Sequence, residues 1–306
     1  MRDSSGLTGP TTVLEAPTAM EHDISDHDTG EHLETFARLV VGVDGSGPSS
    51  GALSWALRYA RAHGTPLLIV HIVDDTWGVA GDDYMAEAQQ RGIHVLDAAR
   101  AEARRHGVTA IQTELVHGRT PGVLAGAART QDLLVVGSHR TGYLRGRSFG
   151  AASLYVVAAA RSAVVVVPNL PVEGRHGVVV GVGAKTTGGD VLRRGAAEAA
   201  SADEHLTLVH ARTPLPHEDA AATGEIRSSA ARDVLSRACA LALREVPRLD
   251  VSTRVVAESV PAALLTAATD ASLLVIGRGR AEAPPHVSAV VHDVLMNLNA
   301  PALVVP

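Results

Sequence analysis

The feature that most constrains this 306-residue chain is that its second half repeats its first. His71 in LLIVHIV returns as His210 in LTLVHAR. Pro121 matches Pro261, and Gly137 in DLLVVGSH matches Gly277 in SLLVIGRG. The segment VVVVP closing at Pro168 returns as ALVVP closing at Pro306. VVGVDGS, ending at Ser46, has its counterpart in VVVGVGAK, ending at Lys185. The spacing between partners is nearly the same for every pair, and that constancy across a whole half is the mark of tandem duplication. Each copy must therefore be a complete folding unit, and the chain is long enough for two.

Within the first copy, short apolar runs alternate with amphipathic stretches. Strands are predicted over 39–43, 66–73, 110–116, 133–137 and 163–167, and helices over 49–63, 84–106, 121–130 and about 150–160. Gly64 and Gly107 stand where helices stop, and Pro121 where one starts. Near-continuous Val, Ile and Leu strands joined by helices require a parallel sheet covered on both faces. Residues 1–36 carry Pro, Gly, Thr, Asp and His with weak periodicity and read as a disordered or mobile tail. Residues 169–176, with Pro171 and Gly174, form a linker short enough to hold the two copies as a fixed pair.

The most informative stretch is 132–153, DLLVVGSHRTGYLRGRSFGAAS. A buried strand ends at Gly137, a Gly-, Ser- and Arg-rich loop follows, and an Ala-rich helix begins near Gly150. A helix N-terminus presents free N–H groups and the positive end of its dipole, so this arrangement is an anion site in form.

These residues resemble the universal stress protein family in its tandem two-domain form. The match rests on the VVGVDGS strand end, the VHIVDD second strand, HGRTPGVL before the third helix, the glycine loop and the closing VVVVP. It covers about 37–168 and 177–306. The resemblance implies an α/β fold of two tandem doubly wound domains, each a five-stranded parallel sheet of order 3-2-1-4-5 with helices on both faces. The switch point of such a sheet brings Asp44 and Gly137 to one crevice. Members that bind ATP carry a glycine, two residues, a second glycine, nine residues, then a glycine and a Ser or Thr. Here the glycines fall on Gly137, Arg140 and Gly150, and the hydroxyl position on Ala151, so two of the four positions are kept. By the same mapping Asp44 reaches the ribose and adenine region, and Val43, Ile72 and Val136 line the base pocket. Gly137, His139, Gly150, Ala152 and Ser153 line the phosphate path.

A non-glycine at a position needing φ > 0 costs roughly 1–2 kcal/mol, and a lost hydroxyl bond to phosphate about 1.5–3 kcal/mol. Together these weaken binding by about 70- to several-thousand-fold. Arg140, Arg145 or Arg147 could return part of this by pairing with phosphate oxygens; Arg140 could equally fill the pocket. In the second copy Asp44 corresponds to Gly183 and Gly150 to Ser288, and Pro284 and Pro285 remove two backbone donors. No nucleotide is expected there by the family's mode.

Other chemistries find little support. GVGAKTT, 181–187, lacks the glycines of a phosphate loop. The tail cluster His22, Asp23, Asp26, His27, Asp28 and His32 has metal-ligand chemistry, but a flexible tail does not pre-organise ligands, and no metal is assigned. Asp74 and Asp75 would meet Mg2+ only beside a bound triphosphate. His71 and His210, at equivalent strand ends, read as buried and hydrogen-bonded. A net charge of −6 and 3% aromatic residues argue against a nucleic-acid surface. Apolar runs are far too short to span a membrane, the N-terminus lacks a secretion signal's apolar core, and the lone Cys239 fits a reducing cytoplasm. The reading is a cytoplasmic stress-response module with weak ATP binding in the first copy and intramolecular pairing of the two copies through their fifth strands. An ATP hydrolase or nucleotide-dependent switch and a nucleotide-independent scaffold stay open as alternatives, as does a homodimer.

Overall fold

The computed structural model describes residues 35–74, 82–138, 151–171, 174–183, 189–212, 221–279 and 287–306. The first half contains β1 (Leu39–Gly42), α1 (Gly47–His63), β2 (Leu67–Val73), α2 (Asp82–Arg105), β3 (Ile111–His117), α3 (Thr120–Ala127), β4 (Leu133–Gly137), α4 (Ala151–Ala159) and β5 (Ala163–Val167). The second half repeats the series as β6 (Val178–Gly181), α5 (Asp190–Ala202), β7 (Leu206–Ala211), α6 (Ala221–Glu245), β8 (Val251–Val256), α7 (Val260–Ala267), β9 (Leu273–Gly277), α8 (Ala289–Met296) and β10 (Ala302–Val305).

All ten strands form one sheet of order β3-β2-β1-β4-β5-β10-β9-β6-β7-β8. Within each half the order is 3-2-1-4-5 and every pairing is parallel. The halves meet where β5 runs antiparallel to β10, with Val165 opposite Leu303. The fold class is thus the one the sequence implies, with its two sheets merged into one. Residues of the central strands alternate between two apolar layers: Val41, Ile69, Val135 and Val165 pack on the α1, α2 and α5 side, and Val40, Leu68, Leu134 and Val164 on the α3, α4, α7 and α8 side. Burial on both faces is why these strands read as unbroken apolar runs.

Local chemistry sets the helix ends. Ser46 caps α1 by accepting a hydrogen bond from Ser49 N at 3.4 Å, and Gly64 ends the helix at φ 65°. Asp203 ends α5 at φ 54°, the same left-handed cap at the matching place in the repeat. The helix predicted over 121–130 stops at Ala127. There the Asp132 carboxylate accepts from Arg129 N at 3.0 Å and pairs with Arg38 at 2.8 Å, turning the chain into β4. Among the described residues no helix is long and apolar enough to cross a membrane.

Candidate functional site

In the first half the central strand β1 lies beside β4, and their C-terminal ends open a cleft. It holds about 200 Å³. Gly42, Val43, Asp44 and Ser49 bound it from β1 and α1, and Val70 and Ile72 from β2. Thr120, Pro121 and Leu124 of α3, Val136 and Gly137 of β4, and Ala152, Ser153 and Val156 of α4 complete its walls. This is the crevice at the switch point of a doubly wound sheet, where strand order reverses and the loops diverge.

Several local devices hold the rim. The Asp44 carboxylate accepts from Ser46 N at 2.8 Å, and Asp44 N donates to Ser49 Oγ at 3.3 Å. Ser49 Oγ donates in turn to Ser46 O at 3.0 Å, so the turn carrying Asp44 is set before any ligand arrives. From the opposite face of the sheet, His71 Nδ1–H donates to Val43 O at 2.8 Å, fixing the peptide that leads into Asp44. His210 makes the same bond to Val182 O at 2.7 Å in the second half. Both histidines are half-buried and hydrogen-bonded, which gives them a structural task.

Gly137 is required on packing grounds alone. A Cβ there would lie 2.3 Å from Pro48 O, so the first turn of α1 can approach β4 only if residue 137 has no side chain. Its counterpart Gly277 is under milder constraint, since a Cβ would meet only the Val191 methyl at 3.2 Å.

Of the residues picked out in the sequence, the structure gathers Val43, Asp44, Ile72, Val136, Gly137, Ala152 and Ser153 around one cleft. Ala151 begins α4, and only its backbone is described. His139, Arg140, Arg145, Arg147, Gly150 and Asp75 lie outside the described residues, as do the tail cluster and most of GVGAKTT. Sequence reasoning missed Gly42, Ser49, Val70, Thr120, Leu124 and Val156, and had noted Pro121 only as a helix start. Period-two alternation from Ile72 leads to Val70, and a step of four along a helix leads from Ala152 to Val156.

In the second half Gly183 stands at the place of Asp44, so the rim carboxylate is gone. Ser288, at the place of Gly150, caps α8 by accepting from Val291 N at 3.3 Å. A Cβ on Gly279, at φ 72°, would lie 2.9 Å from that serine side chain. Gly279, just after β9, thus lies against the cap of the next helix.

The sequence profile of the universal stress protein family matches residues 35–168. The chain is 31% identical over 202 residues to universal stress protein Rv1996 of Mycobacterium tuberculosis, a match covering 58% of this chain and 63% of that protein. It is also 31% identical over 135 residues to the universal stress protein in the QAH/OAS sulfhydrylase 3' region of Thermus aquaticus, covering 43% of this chain and 98% of that one. The crystal structure of a universal stress protein from Archaeoglobus fulgidus superposes with a TM-score of 0.67 at 16% identity, covering 88% of this chain and 95% of that one, a likeness of fold. Duplicated 3-2-1-4-5 sheets, a cleft at the first switch point and these matches agree, and the chain belongs to the universal stress protein family.

Proposed function

We propose that this protein is a regulatory module of the stress response, working in the cytoplasm, whose first half takes an adenine nucleotide weakly. In this reading residues 37–168 and 177–306 are the two domains, joined by 169–176 and preceded by the tail 1–36. The second domain takes no nucleotide by the same mode and serves as the first one's packing partner. The observation that carries the reading is the cleft at the switch point of the first half, apolar inside and bearing Asp44 on its rim. Val43, Ile72 and Val136 offer an apolar slot for a flat base, and Asp44 offers an acceptor for ribose hydroxyls. The start of α4 at Ala152 and Ser153 faces the same space, where backbone N–H groups favour an anion. Mg2+ enters only with a triphosphate. A second reading, a nucleotide-independent scaffold, draws on the cleft's 200 Å³, which lies below the roughly 300–1,000 Å³ of ordinary small-molecule sites.

Calorimetric titration with ATP tests the proposal. Weak binding is expected in the wild type, with no detectable heat in Asp44→Ala. The double variant Arg140→Gly with Ala151→Ser should bind more tightly, because it restores the two missing positions of the loop. Sub-micromolar binding by the wild type would refute the weak-site reading, and no binding by either wild type or double variant would favour the scaffold.

A further inference from the structure

The seam between the halves joins residues that are each other's counterparts in the repeat, yet their chemistries differ. In the sheet Val165 pairs with Leu303, its own counterpart, so a local twofold relation passes through this point. On the α1–α5 side the same relation sets Tyr59 against Glu198, which occupies the matching place in the second half. The Tyr59 hydroxyl donates to Glu198 Oε1 at 3.1 Å. Arg194, one turn before Glu198, brings its guanidinium within 3.8 Å of that oxygen. The same guanidinium stands over the Phe36 ring, 3.8 Å from its centre. Arg194 is itself the counterpart of Trp55, which stacks on Tyr59 at 5.2 Å, and Tyr59 stacks in turn on His63 at 3.9 Å.

The first half therefore contributes an aromatic ladder, Phe36, Trp55, Tyr59 and His63, and the second a carboxylate and a guanidinium that fit it. The opposite side of the sheet is asymmetric too. Arg278, following β9, donates to Ala160 O at 2.6 Å and Val157 O at 3.4 Å, at the C-terminal end of α4. Its counterpart in the first half is Ser138, which has neither the length nor the charge for that contact.

We propose that the β5–β10 seam is a heterotypic interface, coded by the facing pair Tyr59 and Glu198, that accepts the second half and refuses a copy of the first. Two second halves brought together in this way would set Glu198 against Glu198 out of water, with the two Arg194 side chains close by. Two buried carboxyls facing each other must either stay charged at close range or take up a proton, and either costs pairing free energy. Two first halves would bring a second tyrosine, with its stacked neighbours, into space that now holds one ring and one carboxylate. Overpacking of this kind is destabilising, and the Phe36 ring would lose its cation. The partner this surface fits is thus the second half of the chain and no second copy of itself. The argument stands apart from any ligand in the cleft.

Thermal unfolding of the full-length protein tests the code. Tyr59→Glu, which faces a carboxylate with a carboxylate, should lower the midpoint by roughly 5–10 °C. The reciprocal exchange, Tyr59→Glu with Glu198→Tyr, should recover at least half of that loss. A double variant as low as the sum of its two single variants would overturn the proposal. If Tyr59→Glu does not fold, the milder pair Tyr59→Phe and Glu198→Gln decides: non-additive midpoints support the code and additive ones overturn it.

Discussion

Asp203 is the only non-glycine residue with a positive φ among those described, at 54°. It closes α5 by the left-handed cap that Gly64 provides for α1. Its backbone N–H satisfies the carbonyls of Ala199 and Ala200, so the conformation is held by the helix end even though a side chain resists it. Asp203→Gly should therefore raise stability by about 0.5–1 kcal/mol, read as a higher urea midpoint with an unchanged slope. Gly137 shows what a sequence hides at this scale. Its place in a phosphate-loop pattern suggested a ligand's needs, yet Pro48 O, 2.3 Å from where a Cβ would stand, already demands glycine. That contact joins residues far apart along the chain, and no local pattern announces it.

Among the elements, α4 does two things at once. Its first turn borders the cleft through Ala152 and Ser153, and its last carbonyls are capped by Arg278 from the other half. It has no basic residue of its own in the last turn, so this outside cation is what complements its dipole there. Arg278→Ala should cost about 1.5–3 kcal/mol, the range for a hydrogen bond made by a charged group, with Arg278→Lys recovering part of it. Urea unfolding gives the magnitude, and hydrogen exchange should show the loss of protection concentrated in residues 155–160. Element order and strand positions were legible because buried parallel strands leave unbroken Val, Ile and Leu runs, and because the repeat supplies two readings of each. The end of α3 was not legible. The signal that stops it at Ala127 is Asp132, which is held by Arg38, a residue that only the folded sheet brings near. The cleft was half legible for the same reason: motif positions were visible, but Thr120 and Leu124 reach it only through the packing of α3.

For the molecule as a whole, the buried cluster at the seam makes stability depend on pH. Burial pushes the Glu198 carboxyl above the usual glutamate range, while Arg194, the Tyr59 hydroxyl and His63 pull the other way. Tyr59 is also pushed up, by burial first and then by Glu198. A carboxyl with a raised pKa binds its proton more tightly in the folded state than in the unfolded one. Its contribution is therefore full below about pH 4.3, where an unfolded-chain glutamate titrates, and declines as pH rises toward the folded-state value. Glu198→Gln should remove this decline. Urea midpoints measured from pH 4 to pH 8 should fall more steeply for the wild type than for the variant; parallel curves would show that Glu198 does not carry the effect.

The pair at the seam also bears on how such a chain can change over time. Equal halves can part and rejoin as dimers, because each still fits its own copy. Once Tyr59 and Glu198 stand opposite each other, that route back is closed: a gene encoding either half alone would make a face with no match. Substitutions at these two positions are no longer independent, because each side chain is met by the other. The duplication has become a one-way step, recorded in a single hydrogen bond between two residues that began as the same one.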